Sequence, residues 1–169
     1  DIVRWQKDKA LNNKKYECLT QAGVWSIKTA AEMKVGDVIK VSQNERFPAD
    51  CLLLHTTEKN GSVFIRTDQL DGETDWKLRK AVAITQQNPG TLRQHADWYV
   101  VANPPNDQIY DFKGFFTTST DEENDEAKEP LSLENSLWAN TVLASSGHVL
   151  ALVVYTGKET RFEMNSSQQ

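Results

Sequence analysis

The sequence predicts a single mainly β domain of the sandwich or barrel type, with a short helix at each end. Runs of β-branched and aromatic residues recur between Tyr16 and Tyr155. Turn signals at Gly23, Gly36-Asp37, Phe47-Pro48-Ala49-Asp50 and Asn60-Gly61 separate the first of them at about the 8–12-residue intervals of an all-β fold. The stretch 76–84 alternates with period two rather than 3.6. A length of 169 residues suffices for one domain with its own core and is short for two.

Residues 1–13 place Ile2, Trp5 and Lys9 at helical spacing with no helix breaker among them, which predicts a charged helix entering the domain. Strand candidates follow at 24–27, 38–41, 51–54 and 62–65. Beyond a polar loop at 67–75, Trp76, Leu78, Val82 and Ile84 take one face of a strand. Lys77, Arg79, Ala81 and Ala83 take the other, with Lys80 the exception on the apolar face. The loop is thereby held between two strands, and Trp76 is expected to anchor it, since tryptophan buries a large area. Residues 86–90 form a turn. Further strand candidates at 98–101 and 109–112 are separated by Asn103-Pro104-Pro105-Asn106, which cannot lie inside a ladder. An acidic surface loop is expected over 117–130, its charge concentrated in 121–129. Strands at 137–143 and 148–155 form a closing hairpin about Ala144-Ser145-Ser146-Gly147, and a helix at 158–165 leaves the domain.

A formal net charge of −5 leaves no basic footprint for nucleic acid or for anionic lipid. Cys18 and Cys51 lie far apart with no CxxC pair or nearby histidine cluster, which argues against a zinc site; two reduced thiols are expected, with a disulfide the other reading. No run approaches the roughly 18 uninterrupted apolar residues of a membrane helix, and no signal-peptide core opens the chain. The sequence lacks an initiator Met and both ends read as mid-element, so a piece of a longer polypeptide is expected. GxSxG, HExxH, P-loop and GxGxxG signatures are missing, and His55, His95 and His148 stand singly.

What remains is the loop, where Asp68, Asp71, Glu73 and Asp75 crowd around Gly72. Taken alone it reads either as a solvated Asp-Gly turn or as a carboxylate site presented by strands. Asp71 and Glu73 could meet the separation, about 5–9.5 Å, of a glycosidase pair, as many acidic loops could, which leaves a free-standing hydrolase open. A third reading is a β-sandwich interaction module that binds a partner through its acidic insertion.

The run Phe64-Ile65-Arg66-Thr67-Asp68-Gln69-Leu70-Asp71-Gly72-Glu73-Thr74-Asp75-Trp76-Lys77-Leu78 strongly resembles the actuator-domain signature of P-type ATPases, in the type-IV, phospholipid-flippase branch. Other blocks look like family landmarks in the family order: Val35-Gly36-Asp37-Val38-Ile39-Lys40-Val41, Phe47-Pro48-Ala49-Asp50, Glu134-Asn135-Ser136-Leu137 and Tyr155-Thr156-Gly157-Lys158-Glu159-Thr160-Arg161. Together they cover nearly the whole chain. The flanks Asp-Gln-Leu and Asp-Trp-Lys suggest the deeper-branching endomembrane subgroup, with Asp75 standing where many flippases have Asn.

The resemblance implies a distorted jelly-roll actuator domain spanning 1–169, with 1–14 and 158–169 as stalk ends, in the cytosol between membrane helices of a Golgi or endosomal protein. It implies that Glu73 orients and deprotonates the water that hydrolyses an aspartyl phosphate on another domain. Gly72 lets the backbone approach the phosphate, and Asp71 and Thr74 shape the loop. No cofactor is implied within this segment, because ATP and Mg²⁺ belong to the nucleotide and phosphorylation domains. Those domains, a phospholipid reached through the membrane part and, for some members, an accessory subunit are the implied partners. Alone, the segment is implied to be catalytically inert.

Overall fold

A computed structural model describes residues 13–20, 22–93 and 98–166. The helix expected over 1–13 falls almost wholly outside them. The described chain is mainly β. Its central antiparallel sheet has six strands in the order β10-β4-β12-β3-β1-β2. These are β1 Lys15–Leu19, β2 Trp25–Thr29, β3 Val38–Ser42, β4 Asp50–Thr56, β10 Ser136–Leu137 and β12 His148–Tyr155. One three-stranded sheet joins β11 Val142–Leu143, β5 Ser62–Arg66 and β6 Trp76–Lys80; another joins β7 Tyr99–Ala102, β8 Gly114–Thr117 and β9 Lys128–Leu131.

Alternation along the central strands explains why a small sheet packs on each face. In β4, Cys51 and Leu53 enter one core with Val63 and Ile65 of β5, while Leu52 and Leu54 enter a second with Phe116 of β8 and Leu131 of β9. A strand buried on both sides loses the apolar-polar alternation and reads as a continuous apolar run, as Cys51-Leu52-Leu53-Leu54 does. Full burial of each such leucine contributes about 1.5–3 kcal/mol. Both cysteines are free and buried. Burial pushes the Cys18 thiol up to about 11 and the Cys51 thiol well above its ordinary value, so both stay protonated and inert.

Strand candidates at 24–27, 38–41, 51–54, 62–65 and 148–155 match β2, β3, β4, β5 and β12, β2 displaced by a residue. Several expectations need correction. The strand expected over 76–84 stops at Lys80, and a short helix, α2, Ala83–Gln87, follows it and takes up the first two residues of the expected turn. Its cause is distant in sequence: the Glu129 carboxylate accepts hydrogen bonds from the Ala83 and Ile84 amides at 2.8 and 3.2 Å, satisfying two orphan N–H groups. Gln86 then exchanges hydrogen bonds with both backbone groups of Thr56 on β4.

Residues 109–112 form no strand; side chains rather than a ladder satisfy the Ile109 and Asp111 carbonyls, as described below. The stretch 137–143 divides between β10 and β11, which join different sheets across a turn with Asn140 at φ 69°. Consequently 144–147 is a crossover and not a hairpin: β11 pairs with β5, and β12 with β3 and β4. The acidic loop is shorter than 117–130, because Gly114–Thr117 pairs with Lys128–Leu131. Asp121–Glu126 are exposed, but Glu129 caps α2 from within the fold. At Gly114 a Cβ would lie 2.2 Å from the Val101 carbonyl oxygen, so only glycine permits β8 to press this closely on β7. The C-terminal helix begins with a 3₁₀ turn and then runs as α3, Arg161–Ser166.

Candidate functional site

The acidic loop closes the β5–β6 hairpin, whose last cross-strand pair is Arg66 with Trp76. Its first part coils into one helical turn, α1, Asp68–Asp71. Gly72 ends the turn in the left-handed region at φ 75°, donating its N–H to the Asp68 carbonyl. That conformation is what calls for glycine, since a Cβ there would meet nothing within 4 Å. The open space in front of Gly72 suits a second surface coming close.

Behind the tip the loop is fixed. Thr67 is buried, and its hydroxyl donates to both Asp71 carboxylate oxygens, at 3.0 and 3.2 Å. Leu70 packs against the second core. Asp71 Oδ1 accepts the Glu73 amide at 2.9 Å, and Asp71 Oδ2 accepts the Tyr110 hydroxyl at 3.3 Å. Asp71 is thus an acceptor that ties the Glu73 backbone to the Thr67 and Tyr110 side chains.

Glu73 stands half exposed at the tip, its carboxylate accepting from Lys77 Nζ. That bond raises the Lys77 pKa and keeps it cationic. The pair is a surface one, so separating it costs little and the carboxylate is free to exchange partners. Thr74 and Asp75 are exposed beside it. Trp76 does not anchor the loop. It is 58% exposed, with its ring 6.1 Å from that of Phe64. Along β6 the covered residues are Lys77 and Arg79, the reverse of the expected phase. Arg79 Nε donates to the Ser136 carbonyl, and Asn135 Nδ2 donates to the Lys80 carbonyl, so the strand is held through polar groups.

The structure therefore brings Asp71, Gly72 and Glu73 together and leaves Thr74 exposed to solvent. Thr67, Lys77 and Tyr110 were not singled out from sequence. Lys77 lies four residues from Glu73, a spacing that signals an ion pair only on a helix. Tyr110 has no local signal at all. Chemically, the site offers a carboxylate on a rigid exposed tip, able to accept a proton but without a cleft of its own. Among the described residues no group of three or more His, Cys, Asp or Glu side chains is placed to hold a metal ion.

Two of the other sequence blocks meet in the interior. Asp50 and Arg161 are fully buried, with Asp50 accepting the amides of Ala139 and Arg161 at 2.9 Å each. The guanidinium reaches Asp50 only at 3.9 Å and lies between the rings of Trp138 and Tyr155, at 4.3 and 4.9 Å from their centres.

A sequence profile of the P-type ATPase actuator domain matches residues 10–167. The chain belongs to the P-type ATPase actuator domain family. Similar curated proteins include "Probable phospholipid-transporting ATPase IIB" of Homo sapiens, 49% identical over 169 residues, 99% of this chain and 14% of that protein. "Probable phospholipid-transporting ATPase tat-5" of Caenorhabditis elegans is 46% identical over 168 residues, 99% of this chain and 15% of that protein. "Phospholipid-transporting ATPase NEO1" of Saccharomyces cerevisiae is 45% identical over 168 residues, 99% of this chain and 14% of that protein. This actuator domain therefore spans about one-seventh of the length of those relatives. Among the described residues no helix is long and apolar enough to cross a membrane.

Proposed function

We propose that this actuator domain serves an ATP-driven phospholipid transporter of the type-IV branch, and that Glu73 is its hydrolytic base. ATP and Mg²⁺ belong to other domains of the same protein, as does the aspartate that carries the phosphoryl group. When the actuator tip reaches that site, Glu73 leaves Lys77 and orients a water in line with the phosphorus. The water oxygen bonds to phosphorus, the bond to the aspartyl oxygen breaks, and Glu73 takes the proton. Gly72 keeps the approach free of a side chain, and Thr74 beside it is placed to hydrogen-bond to water or phosphate. Basic residues of the phosphorylation domain must offset the meeting of two anions.

The observation that carries this reading is a carboxylate held rigidly from behind, half exposed in front and lacking the rest of an active site. The relatives' names support phospholipid as the cargo, which is chosen in membrane segments that lie outside this chain. The loop flanks support the endomembrane subgroup, hence a cytosolic domain on Golgi or endosomal membranes, with an accessory subunit for some members.

The test is Glu73→Gln in the full-length protein. With labelled ATP the phosphoenzyme forms and then persists, its decay slowed by about 10²–10⁴-fold, the usual worth of a positioned base. Decay at the wild-type rate overturns the assignment.

A further inference from the structure

The segment 103–111 is irregular, yet side chains from the far end of the chain grip its backbone. The Tyr155 hydroxyl donates to the Asn103 carbonyl, and Asn165 Nδ2 to that of Asp107 at 2.9 Å. Arg161 donates through Nε to the Gln108 carbonyl at 3.3 Å and through Nη2 to the Asp111 carbonyl at 3.0 Å. Trp138 Nε1 donates to the Ile109 carbonyl at 2.9 Å. The carbonyls on either side of Tyr110 are thus both held by buried donors, and Phe112 packs edge-on against Trp138 at 5.4 Å. Tyr110 itself is 60% exposed, so burial of its ring does not account for such support. What the support does is aim its hydroxyl at Asp71 Oδ2.

We infer that Tyr110 is a positioning residue for Glu73, and that segment 103–111 braces the hydrolytic loop against α3. This rests on the reading of Glu73 given above. With the Thr67 hydroxyl on both of its oxygens from behind, Asp71 takes the Tyr110 hydroxyl on Oδ2 and the Glu73 amide on Oδ1, so the added hold on Oδ2 sets where Oδ1 presents the Glu73 backbone. Desolvation, and then proximity to Asp71 and Glu73, raises the phenol pKa, so the hydroxyl remains a donor at neutral pH. The other end of the brace is Arg161, the first residue of α3, whose amide is fixed to Asp50.

The experiment follows phosphoenzyme formation and decay in the full-length protein for the wild type, Tyr110→Phe, Asp71→Ala, the double variant and Glu73→Gln. Tyr110→Phe keeps the ring and loses only the hydroxyl. The expected result is decay slowed about three- to tenfold, the worth of one ordinary solvent-exposed hydrogen bond, with formation unchanged. A general folding defect would lower formation as well. In the Asp71→Ala background, Tyr110→Phe should add nothing, because its acceptor is gone. Wild-type decay in Tyr110→Phe, or a full effect of that change without Asp71, overturns the brace. If Glu73→Gln decays normally, the reading beneath it falls; if Glu73→Gln persists while Tyr110→Phe is silent, only the brace falls.

Discussion

Asp50 shows how one side chain can be costly and still organise a region. Burial pushes its carboxyl up from 3.8 to about 6, against the two amides and Arg161 that favour the anion. At 3.9 Å the guanidinium does not restore what desolvation removes. The pH dependence follows from the unfolded chain losing this proton near 3.8 while the folded protein keeps it to about 6. Asp50 thus contributes most to stability below that window, and the contribution declines by about 3 kcal/mol as pH rises through it. Denaturant titrations of the wild type and Asp50→Asn from pH 4 to 7 should differ by a slope of this sign, the variant curve being flatter. The same residue marks the limit of sequence reading. Its block was legible as a landmark, as was that of Arg161, but their encounter across the interior was not. Glu73 and Gly72 were legible because adjacent residues define the loop. Tyr110 was not, because its role comes from a partner 39 positions away.

At the scale of elements, strands were legible where burial imposed a pattern. Residues Cys51-Leu52-Leu53-Leu54 and the run from His148 to Tyr155 are apolar because cores lie on both faces of the central sheet. The phase of β6 was misread because its covered side is held by Arg79 and Lys77, while Trp76 and Leu78 face outward. No hydrophobic periodicity reports a strand fastened by guanidinium and amide groups. β1 was passed over for a related reason: Lys15, Glu17 and their neighbours look polar, yet Tyr16 and Cys18 are core residues. The helix α2 was missed because its cap comes from β9. Glu129→Ala should destabilise the domain by about 1 kcal/mol through two unsatisfied amides, and Glu129→Gln by less, since one oxygen acceptor survives. Urea midpoints at an unchanged slope would check this, and an unchanged midpoint for the alanine variant would show that water replaces the cap.

Across the whole molecule, the central sheet separates two cores and gives the outer sheets distinct tasks. The β11-β5-β6 sheet presents the loop that carries Glu73, and the β7-β8-β9 sheet, with segment 103–111, leads back from it to α3. Between them β4 is hydrogen-bonded on one side to β12 and on the other to β10, and is buried above and below. No partial opening frees such a strand, so solvent deuterium reaches its amides only when the entire domain comes apart. In a hydrogen-exchange experiment Leu52, Leu53 and Leu54 should exchange slowest, at a rate that reads the global unfolding free energy. The half-exposed edge strand β2 should exchange far sooner. Rapid exchange in β4 would show that the two cores can separate. The strand that binds the layers together is in this sense the domain's own gauge of its integrity, distinct from the loop that carries Glu73.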